Sequence, residues 1–173
     1  CAAFISFSNQ DFNAMKKINV EGTANMVNTA IDNKVDKFCY VSTIAAIGER
    51  KNMLIDEECE WKENNNPYSK TKHDAELEVW RGISEGLNAV IVNPGVIIGS
   101  GYWKRGSGAF ITQISRGMNY FPPGKTGFIC VKDVVKIMRE LMNKNIFSER
   151  FLLVAENWTQ KDFIYSVCNY LNL

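Results

Sequence analysis

Two side chains four residues apart frame the chemistry open to this sequence: Tyr68 and Lys72, in the stretch NNNPYSKTK. A phenol ionises near pH 10, so it exchanges protons near neutrality only beside a cation that stabilises the phenolate. An ammonium one helical turn away is such a cation, because i and i+4 share a helix face. Asn64, Asn65 and Asn66 can cap a helix here, Pro67 suits its first turn, and HDAELEVW continues it. Alone the pair is a weak signal, since a half-buried tyrosine near a solvated lysine has the same spacing.

Such chemistry needs a third group, a hydroxyl that holds the substrate oxygen beside the tyrosine. CYVSTIAAIG offers Ser42 and Thr43 at the end of a strand-like run, where open parallel sheets form their ligand crevices. Successive strand residues point oppositely, so one of the two hydroxyls faces such a crevice.

The elements that must position these groups are written in the hydrophobic period. DFNAMKKINVEGTANMVNTAIDN sets Phe12, Met15, Ile18, Met26, Val27 and Ala30 at helical spacing, and KFCYVST follows as a strand. A helix from Pro67 to about Ser84, a Gly86-Leu87-Asn88 turn and the apolar run AVIVNPGVIIG repeat the pattern. Helices alternating with strands that are apolar on both faces predict an α/β fold with a doubly wound parallel sheet. Downstream, AFITQISRGM reads as a helix ended by Gly117, and GFICVKDVVKIMRELMNK as a short strand and a helix with Asp133 near its start. RFLLVAEN reads as a strand, and WTQKDFIYSVCNYL as a helix in which Thr159 and Asp162 resemble a capping box. CAAFISF looks like the end of a strand already in progress, which predicts a fold whose N-terminal half is missing.

With 173 residues the chain suits one sizeable core and an appendage. Twenty basic residues balance nineteen acidic ones without a long run of either sign, which suggests neither a nucleic-acid groove nor an anionic membrane as partner. A small molecule is the expected partner, and a homodimer is left open. The apolar runs are too short to span a bilayer and the first residues lack signal-peptide order, so a soluble, cytoplasmic protein is expected. Five cysteines without CxxC spacing are expected to be reduced, buried thiols, and with His73 as the single histidine no metal site is expected.

Three further stretches are set aside. Gly124-Lys125-Thr126 lacks the earlier glycine of a phosphate loop, the position being Asn119. DEECEWKE is a solvated face or loop. SGYWKRGSG lacks GxGxxG spacing and reads as a flexible loop over the substrate, with Tyr102, Trp103 and Arg105 as candidate substrate contacts.

NVEGTANMVNTA, FCYVSTIAAIG, NPYSKTKHDAE and VIVNPGVIIG, in this order and at these separations, resemble the extended short-chain dehydrogenase/reductase family. That group includes NAD-dependent epimerase/dehydratases and dihydroflavonol-reductase-like and 3β-hydroxysteroid-dehydrogenase-like enzymes. The resemblance spans nearly the whole chain and implies a Rossmann-like fold incomplete at its N-terminus. Residues 1–99 would form the second half of the dinucleotide-binding domain, and residues 100–173 mostly a substrate-binding part with segments returning to the main domain.

The resemblance also implies roles. Tyr68 would be the acid–base, Lys72 would lower its pKa and bind the nicotinamide ribose, and Thr43, five residues before Gly48, would be the active-site hydroxyl in preference to Ser42. Asn19 and Ser42 would line the cofactor cleft, with Asn93, Pro94, Gly95 and Val96 as the turn beside the nicotinamide. Asp133 matches a family aspartate for which a helix cap suffices. NAD or NADP is the implied cofactor, and hydride transfer on a small carbonyl or hydroxyl substrate the implied reaction, as oxidoreductase or epimerase/dehydratase. The family's glycine-rich phosphate turn is absent from the sequence, so this chain is expected to hold the dinucleotide poorly. STIAAIG leans toward the ketone and aldehyde reductases, because the sugar epimerases more often carry an aromatic residue where Ile47 stands. The rival is a dinucleotide-binding sensor without catalysis, disfavoured by the intact set of Thr43, Tyr68 and Lys72.

Overall fold

The computed structural model describes residues 3–48, 54–62, 66–104, 106–118 and 120–173. In chain order its main elements are α1 (Phe12–Met15), a π-helical segment (Lys16–Glu21), α2 (Gly22–Asp32), β1 (Phe38–Val41), α3 (Pro67–Ser84), β2 (Ala89–Pro94) and β3 (Val96–Ile98). They continue as α4 (Gly106–Ser115), β4 (Lys125–Cys130), α5 (Val131–Asn143), β5 (Glu149–Leu153), β6 (Glu156–Thr159) and α6 (Gln160–Leu171). The chain divides into two compact units, Cys1–Asn93 with Met138–Leu152, and Pro94–Ile137 with Leu153–Leu173.

In the first unit the strands run in the order β1-β2-β5. β1 and β2 are parallel, with Phe38 opposite Ala89 and Val41 opposite Val92. All of β2 is buried, as a strand flanked on both edges and covered on both faces must be, and this explains its unbroken apolar run. Val27 and Ala30 of α2, Val79 of α3 and Ala89 and Ile91 of β2 form the core with Leu87. Each fully buried valine, leucine or isoleucine side chain there contributes roughly 1.5–3 kcal/mol. Gly82 lets the two helices approach, since a Cβ at that position would sit 2.4 Å from Val27 Cγ1.

The helix predicted over DFNAMKKINVEGTANMVNTAIDN forms, but not in one phase. Ile18 and Met26, expected inside, are 41% and 59% exposed, while Asn19 is 3% exposed. The cause is the π-helical segment, whose wider turn advances the face by a residue and brings Asn19 inward. CAAFISF forms no strand over its described residues 3–7. Instead, Phe4 N–H donates to Asn19 Oδ1 at 2.9 Å and Phe4 O accepts from Asn19 Nδ2 at 3.0 Å, which replaces a strand partner with one amide.

In the second unit the strand order is β3-β4-β6, parallel then antiparallel. The single run AVIVNPGVIIG is thus two strands in two sheets, broken at Gly95. Its N–H bonds Leu153 O at 3.0 Å, and any Cβ would lie 2.3 Å from the Gly127 carbonyl oxygen. Trp158, expected at a helix start, lies in β6 opposite Thr126. The helix begins after Thr159, whose Oγ1 accepts from Asp162 N–H at 3.0 Å and donates to the Asp162 carboxylate at 2.6 Å. Asp133 falls in the first turn of α5. The cysteines depart from expectation: Cys39, Cys59, Cys130 and Cys168 are free thiols, but Cys130 is exposed and the others half-buried. No helix among the described residues is long and apolar enough to cross a membrane.

Candidate active site

Thr43 leaves β1 in an extended conformation and caps a short 3-10 turn, Ile44–Ala46, its Oγ1 accepting from Ala45 N–H at 3.3 Å. α3 secures this turn from one side: Ser69 Oγ donates to Ala45 O at 2.9 Å, and His73 Nδ1 lies 3.2 Å from Ala46 O. His73 is itself stacked on Trp61 at 4.2 Å. From β2, Asn93 Nδ2 donates to Thr43 O at 3.0 Å. Ser42 keeps the parallel ladder through its N–H to Val92 O at 2.8 Å, while its hydroxyl is buried without a partner among the described residues.

α3 starts where the sequence predicts. Asn66 Oδ1 accepts from the N–H groups of Tyr68 and Ser69 at 3.0 and 3.3 Å, and Pro67 occupies the first turn. Asn64 and Asn65 lie outside the described residues. Tyr68 is half-buried, its ring edge-on to Phe7 at 6.3 Å. Lys72 is 5% exposed. Its Nζ donates to Tyr40 OH at 3.0 Å and to Val41 O at 3.2 Å, and lies 4.7 Å from the centre of the Tyr40 ring.

Burial pushes the Lys72 ammonium down from 10.5 to about 8, with the Glu76 carboxylate pulling it back up. Burial pushes the Tyr68 phenol up to about 12, and Tyr40 adds in the same direction. The sequence leads one to expect the reverse for Tyr68, a phenol lowered by Lys72. The difference is local: the lysine's donors go to Tyr40 and Val41, and none of the described residues hydrogen-bonds the Tyr68 hydroxyl.

Asn19 comes to α3 through its amide. Its Nδ2 donates to Thr71 Oγ1 at 3.2 Å, which donates in turn to Tyr68 O at 3.0 Å. With Phe4 on the same amide, Asn19 acts here as a clip between three segments. Asn93, fully buried, gives its second amide hydrogen to Glu76 Oε2 at 2.8 Å, while its Oδ1 has no partner among the described residues. Pro94, Gly95 and Val96 open the second unit. There Tyr102 and Trp103 are 86% and 49% exposed. The backbone of this expected flexible loop is held: Thr112 Oγ1 donates to Trp103 O at 2.8 Å, and Gly108 packs directly on Tyr102 O. Arg105 lies outside the described residues.

Several residues at this site were not expected from the sequence. Glu76, 2% exposed on α3, accepts from Asn93 and from Arg150 Nη1 at 3.3 Å. Arg150 on β5 also holds the carbonyls of Glu57 and Cys59, and Glu57 Oε1 accepts from Leu152 N–H at 2.8 Å. DEECEWKE is a loop, one of the two forms expected of it, and Glu57 and Cys59 strap it to β5. Tyr40 and Thr23 are the other additions. The i+4 spacing of Glu76 from Lys72 was a usable cue; the partners of Arg150 are too distant in sequence to be read.

Helices packed on a parallel sheet, with a hydroxyl at a strand end and a tyrosine–lysine pair at the start of the next helix, place the chain in the Rossmann-like class. The sequence model of the NAD dependent epimerase/dehydratase family matches residues 1–152, and the chain belongs to that family. It is 30% identical over 164 residues to a protein named sterol demethylase protein B from Methylococcus capsulatus, covering 91% of this chain and 49% of that one. The crystal structure of gox2253 superposes with a TM-score of 0.89 at 28% identity, covering 100% of this chain and 54% of that one. DesIV, a dTDP-glucose 4,6-dehydratase from Streptomyces venezuelae solved with NAD and TYD bound, shares the fold with a TM-score of 0.85 at 17% identity. That match covers 99% of this chain and 56% of DesIV. The chain spans about half the length of these relatives.

Proposed function

We propose that this chain carries the proton-transfer part of a NAD(P)-dependent oxidoreductase or epimerase/dehydratase, with Tyr68 as acid–base, Lys72 as its electrostatic partner and Thr43 as the hydroxyl that holds the substrate oxygen. The observation that carries this is the buried Lys72 ammonium, set between the end of β1 and α3 one turn from a phenol whose hydroxyl no described residue hydrogen-bonds. A buried charge lowers stability, and such groups cluster where chemistry uses them.

At neutral pH Tyr68 keeps its proton and Lys72 its charge, given values of about 12 and about 8. The pair therefore starts as an acid, suited to protonating a carbonyl oxygen; in the opposite direction the ammonium supports the phenolate. Thr43, held through its main chain by Asn93, keeps its hydroxyl for the substrate oxygen. Ser42, with a buried hydroxyl lacking a partner among the described residues, fits a ligand that brings its own donors and acceptors, and with Lys72 it would hold the ribose end of the cofactor. When bound, NAD or NADP supplies the hydride chemistry. Pro94, Gly95 and Val96 would border the nicotinamide, and residues 100–173 would furnish most of the substrate part, Tyr102 and Trp103 included. The substrate would be a small carbonyl or hydroxyl compound, and the protein cytoplasmic.

The second reading, a dinucleotide sensor, draws on the engagement of Lys72 with Tyr40 in place of Tyr68. Nicotinamide absorbance with a panel of ketones, aldehydes and nucleotide sugars separates the two. Tyr68→Phe is expected to abolish turnover while leaving cofactor binding; a near-normal rate would overturn the assignment.

A further inference from the structure

We propose that Tyr40 is a positioning residue of this site, its hydroxyl fixing the Lys72 ammonium at the end of β1. The proposal rests on the catalytic reading of Tyr68 and Lys72 but concerns a residue which that reading leaves out. Lys72 Nζ donates to Tyr40 OH at 3.0 Å, Tyr40 OH lies 3.3 Å from Thr23 Oγ1, and Thr23 Oγ1 donates to Asn19 O at 2.6 Å. The direction of this file is set at both ends. An ammonium only donates and a carbonyl only accepts, so each hydroxyl between them accepts on the Lys72 side and donates on the Asn19 side.

A file that ends on a main-chain carbonyl has no group to take a proton onward. It is therefore an anchor and not a proton exit. Burial raises the Tyr40 phenol above its ordinary value, which keeps the hydrogen that Thr23 receives on Tyr40. The ring adds to the hold, with the ammonium 4.7 Å from its centre. Around Lys72, β1 contributes Tyr40 and the Val41 carbonyl, α3 contributes Tyr68 and the Glu76 carboxylate, and the helix across from them contributes the neutral Thr23 and Asn19. Glu76 acts on the charge alone; the hydrogen-bonding direction comes from β1.

Tyr40→Phe keeps the ring and removes the acceptor, leaving the buried ammonium with Val41 O. The titration midpoint of Lys72, followed by NMR of its side chain in cofactor-free protein, is expected to fall by about one to two pH units. The alkaline limb of kcat/KM should move with it, lowering kcat by about tenfold at pH 8 with KM little changed. Thr23→Val removes the group that orients the Tyr40 hydroxyl and should shift the midpoint the same way by less. An unmoved midpoint in folded Tyr40→Phe overturns the proposal; if that variant does not fold, an unmoved midpoint in Thr23→Val does so. Because the midpoint is read without turnover, a shifted Lys72 in a protein whose Tyr68→Phe variant stays active would uphold the anchor and reject the catalytic assignment.

Discussion

Replacing Lys72 by methionine should make the protein more stable and, on the proposed function, inactive. The drop of the ammonium from 10.5 to about 8 on folding means that holding the charge at neutral pH costs about 3 kcal/mol. Methionine retains the length and apolar stem and removes that cost. It also removes the donors to Tyr40 OH and Val41 O, and the carbonyl left without one takes back about 1–2 kcal/mol. Glu76 is not stranded, because Asn93 and Arg150 still bond it. The net gain at pH 7 is then about 1–2 kcal/mol.

The pH dependence carries the sharper test. Folded Lys72 releases its proton near pH 8 and unfolded Lys72 near 10.5, so the parent gains stability as pH rises between those values. The methionine variant lacks this gain, and its advantage should shrink and then reverse toward pH 10. Tyr68, Tyr40 and Cys39, all raised by burial, withdraw stability at the alkaline end. Cys39 does so in both proteins; Tyr40 loses its Lys72 donor in the variant, but phenols ionise near pH 10, so the difference below about pH 9 is set by Lys72. Parallel urea unfolding across pH 7 to 10 measures it. A variant less stable than the parent at pH 7, or a stability gap that does not change with pH, would refute the reasoning.

Glu76→Gln turns one of two acceptor positions into a donor facing Asn93 or Arg150, so thermal melts should show a loss of about 1–3 kcal/mol, with the segment 54–62 becoming more protease-sensitive. Gly95→Ala places a Cβ 2.3 Å from a backbone oxygen that cannot swing aside, and melting should report a loss of about 2 kcal/mol or more, whereas Gly86→Ala meets no atom and suffers only the strain of its positive φ.

What could be read in the sequence was local or periodic. The start of α3 was legible because Asn66, Pro67 and the apolar face after them are neighbours in sequence, and Tyr68 and Lys72 came with it. The parallel sheet was legible because β2 must be apolar on both faces. The inward turn of Asn19 was hidden, since a π-helical segment changes the period that the eye extends from Phe12 and Met15. β6 was hidden behind the cap at Thr159, where four residues of strand precede a strong helix. The partnership of Lys72 with Tyr40 spans 32 positions, and that of Arg150 with Glu57 spans 93. Pairings of that reach depend on how β1 and β5 lie beside β2, which no window of sequence contains.

The extra residue in the helix that begins at Phe12 works as a quarter-turn of a screw. Each residue of an α-helix rotates the chain by about 100°, so deleting one position in Lys16–Glu21 would leave α2 seated and swing everything ahead of it around the axis. Asn19 would lose Phe4 and Thr71 in the same motion, and with Thr71 the brace beneath the main chain of Tyr68. The length of this short segment, more than its composition, determines whether the residues before it and the first turn of α3 remain joined.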